Sequence, residues 1–299
     1  MLNIGLIGLG KMGYNLALNM RDHHVDVTAF NRSAHKIDKI QKDGVNVAYS
    51  LEELIGGLKA PRVLWMMVPA GEAVDGLIQA MLPHLEAGDI VIDGGNSNYK
   101  DTLRRGQQLE SEGIHYMDVG TSGGTAGARH GACMMVGGPA SVYGKLAPVF
   151  EALCVEKGVA HMGPTGAGHY VKMVHNGIEY AMMQAIGEGF EILQAGPFDL
   201  NNEAVAQVWD NGSIIEGYLM TMAHHALAKD QGLEDIAGKV ASSGEGLWTL
   251  EEALRLQVPV PTIADALFAR YRSWQTDTFS NKLIAALRNE FGGHGVERK

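Results

Sequence analysis

Side chains able to transfer protons are concentrated in one short segment of the chain, which reads KMVHNGIEY. It places Lys172, His175, Asn176 and Glu179 at relative positions zero, three, four and seven. Residues with these spacings lie on one face of an α-helix, and Tyr180 falls near the same stripe. The residues between them are mostly apolar, so the polar face is predicted to line a cleft. A solvated charge pattern is the alternative that this segment alone leaves open.

General acid and base catalysis is the chemistry that such a face offers. A lysine withdrawn from water can have its pKa lowered enough to accept a proton near neutral pH. A glutamate in a similar place can have its pKa raised enough to donate one. Lys172 and Glu179 are therefore the candidate catalytic residues.

A glycine-rich turn at the start of the chain indicates a dinucleotide site. Gly8, Gly10 and Gly13 form G-x-G-x-x-G directly after an apolar β-type run and at the beginning of a helical pattern. The first glycine allows a tight turn, the second lets the backbone approach a pyrophosphate, and the third permits close helix packing. The pattern alone is weak, but its position inside a β-α-β unit favours dinucleotide binding over an ordinary glycine turn.

The end of the second predicted strand decides between the two nicotinamide dinucleotides. An acidic residue there holds a ribose 2′-hydroxyl, whereas an arginine accommodates a 2′-phosphate. This chain has Asn31, Arg32 and Ser33 at that place. We therefore expect NADP, with NAD as the alternative cofactor, unless Arg32 is only a solvated surface arginine. The other predicted cofactor contacts are Leu9, Met12, Val68 and Asn96.

Two further glycine-rich loops follow predicted strands and read DGGNS and GTSGGTAGA. In open α/β sheets, ligands bind beyond the carboxyl ends of the strands, where such loops offer backbone donors to carboxylate or hydroxyl groups. The predicted substrate contacts in these loops are Asn96, Ser122, Gly123 and Gly124. Ordinary turns between strand and helix would also account for the glycines.

The elements that position these loops alternate along the first half of the chain. The clearest predicted strands are residues 2–7, 25–30, 62–68, 89–93 and 114–119, a rhythm that predicts a parallel sheet. After a glycine- and proline-rich break near residues 163–168 the pattern is helical, beginning with a long helix from His169 to about Gln194. We therefore predict an α/β fold: a Rossmann-type doubly wound sheet at residues 1–165, then an all-α domain at residues 166–299.

Composition and charge narrow the classes of function. Hydrophobic residues make up 46% and charged residues 19% of 299 residues, which is typical of a globular protein of two domains. The net charge of −10 has no basic run within it, which argues against nucleic acid and membrane as partners. No export signal is recognisable, so a cytoplasmic location is expected. Cys133 and Cys154 lack metal-site spacing and are interpreted as buried structural thiols; no metal is expected.

Taken together, these motifs resemble the 6-phosphogluconate dehydrogenase family within the β-hydroxyacid dehydrogenase superfamily. GLGKMG, FNRS, DGGNS, GTSGGTAGA and KMVHNGIEY occur in the family's order over essentially the whole chain, and the last is the most specific. The resemblance implies an enzyme of the pentose phosphate pathway. It would convert 6-phosphogluconate to ribulose 5-phosphate and carbon dioxide while reducing NADP or NAD, without a metal.

The resemblance also implies roles for individual residues. Lys172 would be the general base, and Glu179 would protonate C1 of the enediol. The sugar acid would be held by Ser122, Gly123, Gly124, His175 and Asn176, and its phosphate by Tyr180, Arg270 and Arg288. The closing FGGH segment, which ends at His294, resembles the family's substrate-binding tail that reaches into the neighbouring subunit. An obligate homo-oligomer, a dimer or a tetramer, is therefore expected.

Two departures from the family pattern affect these expectations. The chain is much shorter than the long family form, so its helical domain is expected to be a single copy completed by a partner subunit. Where many long members have KGTGKW, this chain reads SGEGLW, with Glu245 in place of a neutral residue. A missing phosphate contact leaves open an unphosphorylated sugar acid as the substrate. The nearest alternative is another β-hydroxyacid dehydrogenase that acts on a small acid without decarboxylation. A dinucleotide-binding sensor without catalysis is the more distant alternative.

Overall fold

A computed structural model describes residues 3–292 and 295–297 of the chain, the side chains of residues 291 and 292 excepted. Within these residues the first half forms one sheet of eight strands in the order β3-β2-β1-β4-β5-β6-β7-β8. The strands are β1 (Asn3–Ile7), β2 (Asp26–Phe30), β3 (Asn46–Val47), β4 (Val63–Met66), β5 (Ile90–Asp93), β6 (His115–Ser122), β7 (Ala132–Gly137) and β8 (Cys154–Gly163). The five predicted strands are present; four are shorter than predicted by one to three residues, and β6 extends three residues further.

Helices connect the strands of this sheet. They are α1 (Lys11–Asp22), α2 (Ala34–Lys42), α3 (Leu51–Gly57), α4 (Glu72–Met81), α5 (Tyr99–Ser111), α6 (Gly124–His130) and α7 (Ala140–Leu153), with a 3₁₀ turn at Leu82–His84. Buried side chains cover both faces of the sheet. One cluster includes Trp65 and Phe150, whose ring centroids lie 5.5 Å apart, and the other includes Leu64 and Met66. Alternate residues of β4 therefore face opposite layers, as a sheet covered on both sides requires.

The prediction of a parallel sheet is confirmed for the first six strands, but β7 runs antiparallel to β6. The physical reason is the length of the connection. A parallel return needs a crossover of a dozen or more residues, whereas only the seven-residue helix α6 and its flanking glycines separate β6 from β7. The chain therefore doubles back beside β6. Strand β8 then pairs with β7 in parallel after the longer helix α7.

The later half of the chain is helical, as predicted. Its helices are α8 (Ala167–Ala195), α9 (Asn202–Trp209), α10 (Tyr218–Leu227), α11 (Glu245–Leu256), α12 (Pro261–Ser273) and α13 (Phe279–Gly292). The backbone divides into two compact units, Met1–His175 and Asn176–Lys299. The domain boundary after residue 165 stays a prediction, since compactness does not test which part folds alone. Within the described chain no helix has the length and apolar character to cross a membrane.

Candidate active site

The loop between β1 and α1 closes on the backbone that follows β4. Gly8 has a φ of +107°, and a Cβ atom built there would lie 2.4 Å from the carbonyl oxygen of Met67. A Cβ atom on Gly13 would lie 2.0 Å from the carbonyl oxygen of Gly8, so α1 packs directly against the loop. The fold itself therefore requires glycine at both positions.

Gly10 differs from these two glycines, because a Cβ atom built there would meet no described atom within 4 Å. Gly10 is the N-cap of α1, and no side chain in the described part of the chain caps that helix end. Uncapped amides at a helix N-terminus are a favourable site for a phosphate group. Open space and backbone donors thus coincide where the sequence predicted a pyrophosphate, and the loop fits a dinucleotide.

The tip of β2 is tied to this loop through Asn31, whose Oδ1 accepts a hydrogen bond of 2.9 Å from the amide of Leu9. Leu9 is itself buried, so its amide supports the loop through Asn31. Arg32 is exposed, and Ser33 is the N-cap of α2. Met12 and Val68 are half-buried beside the loop. The structure therefore places the predicted cofactor residues around one end of the sheet.

The DGGNS loop after β5 is organised by the buried carboxylate of Asp93. Its Oδ1 accepts a hydrogen bond from the amide of Gly95 at 3.1 Å, and its Oδ2 accepts one from the hydroxyl of Ser97 at 2.7 Å. The hydroxyl of Tyr116 donates to the same Oδ2 at 3.1 Å. Asn96, on the outside of this turn, is exposed. The loop thus presents Asn96 at the carboxyl end of β5, as predicted.

The loop after β6 brings two predicted substrate residues together. Ser122 Oγ lies 3.3 Å from His175 Nε2. Gly123 and Gly124 follow at the start of α6, with φ of +106° and +60°. Because Gly124 carries no side chain and a Cβ atom there would meet nothing within 4 Å, its backbone is open to a ligand.

Lys172 is 5% exposed and lies against β6. A Cβ atom built on Gly120 would lie 2.3 Å from the Cβ of Lys172 and 3.1 Å from the carbonyl oxygen of Gly168. The absence of a side chain at Gly120 is therefore what lets α8 approach the strand so closely. Because the side chain of Lys172 is buried, it does not belong to a solvated charge pattern, which was the alternative that the sequence left open.

The start of α8 is held by Asp118, which is fully buried in β6. Its Oδ1 accepts a hydrogen bond from the amide of Gly166 at 2.7 Å, and its Oδ2 accepts one from the amide of His169 at 2.8 Å. The ring Nδ1 of His169 lies 2.7 Å from the hydroxyl of Thr102 on α5. Sequence reasoning missed Asp118 and His169. The signal for Asp118 was a carboxylate inside the otherwise apolar strand pattern YMDVG.

In the second unit, Tyr180 and Arg270 are brought together. The guanidinium carbon of Arg270 lies 3.4 Å from the centroid of the Tyr180 ring, and its Nη1 donates to the carbonyl oxygen of Ala241 at 2.8 Å. The amide of Ser243 donates to the Tyr180 hydroxyl at 3.2 Å. Burial opposes ionisation of this phenol, but the hydrogen bonds from residues 242–243 and the nearby cation outweigh it and lower its pKa. The pair is suited to an anionic group.

The SGEGLW segment packs onto the same tyrosine. A Cβ atom on Gly246 would lie 2.5 Å from the Tyr180 ring, and the carboxylate of the buried Glu245 accepts a hydrogen bond from the hydroxyl of Ser243. The segment that departs from the family pattern is thus a neighbour of Tyr180 and Arg270. Its carboxylate is linked to the Tyr180 hydroxyl through Ser243, whose Oγ lies 3.4 Å from that hydroxyl.

The other predicted residues of this unit are less closely grouped. Asn176 is 7% exposed, and Glu179, one turn further along α8, is half-buried. Arg288 is exposed on α13, and the described contacts do not bring it to Tyr180 or Arg270. His294 lies outside the described residues. Residues 3–292 and 295–297 contain no group of three or more His, Cys, Asp or Glu side chains arranged to hold a metal ion.

A doubly wound sheet with a dinucleotide-type loop, followed by a helix with a buried lysine, defines an NAD(P)-linked oxidoreductase. Comparison with known families identifies the family within this class. Residues 3–172 match the family model described as the NAD binding domain of 6-phosphogluconate dehydrogenase, and residues 168–281 match the C-terminal domain of 6-phosphogluconate dehydrogenase. The chain belongs to the 6-phosphogluconate dehydrogenase family.

Individual relatives agree with this assignment. A putative 6-phosphogluconate dehydrogenase, YqeC, of Bacillus subtilis is 49% identical over the full length of both chains. An NAD(+)-dependent, decarboxylating 6-phosphogluconate dehydrogenase of Haloferax volcanii is 43% identical over 100% of this chain and 99% of the relative. The chain also resembles the solved structure of Plasmodium falciparum 6-phosphogluconate dehydrogenase, with a TM-score of 0.84 and 34% identity over 99% of this chain and 66% of that one. The family resemblance and the predicted fold class are thereby confirmed.

Proposed function

We propose that this chain catalyses the oxidative decarboxylation of 6-phospho-D-gluconate to D-ribulose 5-phosphate and carbon dioxide, with reduction of NADP or NAD. The observation that carries the proposal is the buried Lys172, seated on Gly120 beside the Ser122–His175 pair, in a chain of this family. A lysine held in this way can serve as a general base, because burial disfavours its charged form.

The proposed chemistry uses Lys172 twice and Glu179 once. Lys172 removes the proton of the 3-hydroxyl as the hydride leaves C3, and the bound nicotinamide supplies the hydride acceptor. The protonated Lys172 then donates a hydrogen bond to the new C3 carbonyl, which stabilises the enediolate formed when carbon dioxide leaves. Glu179 finally protonates C1 of this enediolate, which gives the ketone product.

Substrate binding is assigned to the loops and helices already described. The sugar acid would contact Asn96, Ser122, Gly123, Gly124, His175 and Asn176. Its phosphate would contact Tyr180, Arg270, Arg288 and His294. The Tyr180–Arg270 stack supports the phosphate assignment, since an arginine beside a phenol of lowered pKa offers donors to an anion.

Arg32 is proposed to select NADP over NAD. Its exposed guanidinium follows β2 at the place where a 2′-phosphate is expected, and no carboxylate is present there to bind a 2′-hydroxyl. Replacing Arg32 with alanine should raise the KM for NADP ~10- to 100-fold, the effect of losing a charge-assisted hydrogen bond, and leave the KM for NAD nearly unchanged. Lys42→Ala, at the opposite end of α2, is the control.

A homo-oligomer, dimer or tetramer, is proposed to complete each site with the neighbouring C-terminal tail. Supporting this, large apolar side chains of the helical unit are strongly exposed: Ile192, Phe198, Ile214, Leu254 and Phe279. Co-expression of Lys172→Ala with a chain truncated before Arg288 tests the tail. If tails act across subunits, the hybrid recovers activity that each parent lacks. A hybrid as inactive as its parents contradicts the exchange.

A smaller or unphosphorylated sugar acid is the second candidate substrate. The specific observation in its favour is the buried Glu245 carboxylate, which accepts a hydrogen bond from Ser243, a neighbour of the Tyr180 hydroxyl, since a carboxylate repels a phosphate. The Mycobacterium tuberculosis 3-hydroxyisobutyrate dehydrogenase shares the fold at a TM-score of 0.71, but its 22% identity extends the likeness no further than the fold.

The reaction is tested by following nicotinamide absorbance with 6-phosphogluconate and with gluconate, for NADP and for NAD, while trapping carbon dioxide. We expect 6-phosphogluconate to give equal amounts of reduced cofactor and carbon dioxide. Lys172→Ala and Glu179→Gln should each lower turnover ~10²- to 10⁴-fold without weakening cofactor binding, whereas Glu188→Gln, exposed on the same helix, should not. Turnover of gluconate alone would favour the second candidate. Cofactor binding without turnover of either acid would favour the sensor.

A further inference from the structure

The guanidinium of Arg105 is fully buried on α5, between two loops that follow neighbouring strands of the sheet. Its Nη2 donates a hydrogen bond of 3.0 Å to the carbonyl oxygen of Gly71, and its Nε and Nη2 lie 2.9 and 3.0 Å from the two carboxylate oxygens of Asp75. Its Nη1 lies 3.4 Å from Ser97 Oγ and 3.8 Å from Asp93 Oδ2. One side chain therefore bonds to both loops.

The first of these is the loop of residues 67–71, which joins β4 to α4 and is called here the cofactor-side loop. It contains Val68, a predicted cofactor contact, and lies against Gly8 of the dinucleotide loop. Gly71 ends it with a φ of +88° as the N-cap of α4. Arg105 holds both Gly71 and Asp75 in the first turn of α4, so it fixes the place where this loop enters the helix.

The second loop, residues 94–98, joins β5 to α5 and is called here the acid-side loop. It contains Asn96, a predicted contact of both substrate and cofactor. The carboxylate of Asp93 accepts a hydrogen bond from the backbone amide of Gly95 in this loop. The guanidinium of Arg105 lies beside the same carboxylate. The hydroxyl of Ser97 lies between Asp93 and Arg105.

Both loops leave the carboxyl ends of paired strands, where Met66 of β4 is in register with Asp93 of β5. Ligands of open α/β sheets bind beyond these ends. A planar guanidinium offers donors in a fixed fork, so it transmits a displacement of one partner to the other more rigidly than a flexible ammonium does. Breaking a buried ion pair is also costly, which makes the linked arrangement of the two loops the stable one.

We propose that Arg105 is a positioning residue that holds the cofactor-side and acid-side loops in one fixed arrangement, and so aligns the acid with the nicotinamide for hydride transfer. The inference rests on the proposed function for its catalytic consequence. Its structural core, one side chain linking two loops, is independent of which acid is oxidised.

The variants that test it are Arg105→Lys, which keeps the charge but loses the fork, and Arg105→Met, which loses both. Arg104→Met is the matched control, because Arg104 also bonds to Asp75 at 2.9 Å but is 54% exposed and reaches neither loop. We expect Arg105→Lys to lower kcat ~10- to 100-fold, as small misalignments do, and to raise the deuterium isotope effect on the C3 hydrogen. Arg104→Met should leave both unchanged.

Backbone hydrogen exchange of the two loops supplies a readout that needs no turnover. In Arg105→Lys, the amides of residues 67–71 and of residues 94–98 should both exchange at least ~10-fold faster than in the wild-type protein. The rest of the sheet should keep its wild-type protection. Wild-type exchange in both loops, or a wild-type kcat in a folded Arg105→Lys enzyme, would overturn the proposal. If wild-type protein fails to oxidise 6-phosphogluconate but the loops loosen together, the proposed function fails while the linkage by Arg105 stands. Should Arg105→Met not fold, Arg105→Lys alone decides.

Discussion

Asp118 and His169 are joined by a hydrogen bond of 2.8 Å from the backbone amide of His169 to the carboxylate of Asp118. This contact ties β6 to the first turn of α8, the helix that carries Lys172. The carboxylate also complements the positive end of a long helix, where negative charge is favourable. Asp118 thereby sets the position of Lys172, the proposed base, which follows His169 by three residues.

We predict that Asp118→Asn destabilises the fold and lowers turnover. The amide keeps one acceptor but turns an NH₂ group toward a backbone donor, so one buried hydrogen bond is lost and the free energy of unfolding should fall by about 1–3 kcal/mol. Urea unfolding and kcat measure the two effects. Asp101→Asn, in the first turn of α5 where the side chain is 44% exposed, is the control and should change stability by less than about 0.5 kcal/mol. Equal effects of the two substitutions would contradict the anchoring role.

Gly120→Ala should displace α8 from β6. The new Cβ atom would lie 2.3 Å from the Cβ of Lys172, which forces a backbone shift and should cost about 1–3 kcal/mol of unfolding free energy. Gly76→Ala on α4 is the matched control, because a Cβ atom there meets nothing within 4 Å and alanine favours a helix by about 0.5–1 kcal/mol. The two substitutions should therefore move the thermal midpoint in opposite directions. A neutral Gly120→Ala would show that the approach of α8 is less tight than described.

The carboxylate of Asp75 should make stability depend on pH in the acid range. Hydrogen bonds from Arg105, and from Arg104, lower the pKa of Asp75 to about 2. Because the folded pKa is below the unfolded one, the contribution is complete above about pH 4 and is lost as the pH falls toward 2. Urea midpoints of wild type and Asp75→Asn should therefore differ most at pH 6 and converge only when the pH reaches about 2. A difference that is constant with pH would show that the ionised form is not what stabilises.

Thiol labelling should distinguish the two cysteines. Burial, together with the neighbouring Cys133, raises the pKa of Cys154 to about 12, whereas Cys133 is exposed. The expectation of a buried thiol was therefore wrong for Cys133, which is exposed on β7, whereas Cys154 is half-buried. At pH 8 a thiol reagent should modify one cysteine in the native chain and both in urea. Fast native labelling of Cys133→Ser would contradict this assignment.

Local patterns accounted for the loops that carry the proposed chemistry. The dinucleotide loop, the DGGNS turn and the face of α8 each depend on residues close together in the chain, so period and spacing were sufficient to predict them. Strands β3, β7 and β8 were not predicted. Strand β3 has only two residues, β7 follows an unusually short connection, and the largely exposed β8 lacks an apolar alternation. None of these strands carries a predicted site residue.

Contacts between distant parts of the chain could not be predicted in the same way. Asp118 meets residues about fifty positions later, and Arg105 meets Asp75 thirty positions earlier. A single sequence shows that a carboxylate or an arginine occurs in an apolar stretch, but not which partner satisfies it. The partners became identifiable only when the sheet order placed β4, β5 and β6 side by side.

Substitutions at Gly10 should be tolerated differently from substitutions at Gly8 and Gly13. Gly8 and Gly13 are required by their steric contacts, so most replacements there should reduce the amount of folded protein. Gly10 has open space around it, so its replacements should accumulate normally in cells and still fail to bind the dinucleotide. A mutational survey scored for abundance and another scored for activity should therefore agree at Gly8 and Gly13 and disagree at Gly10. Natural variation at that position would be constrained by the ligand rather than by folding.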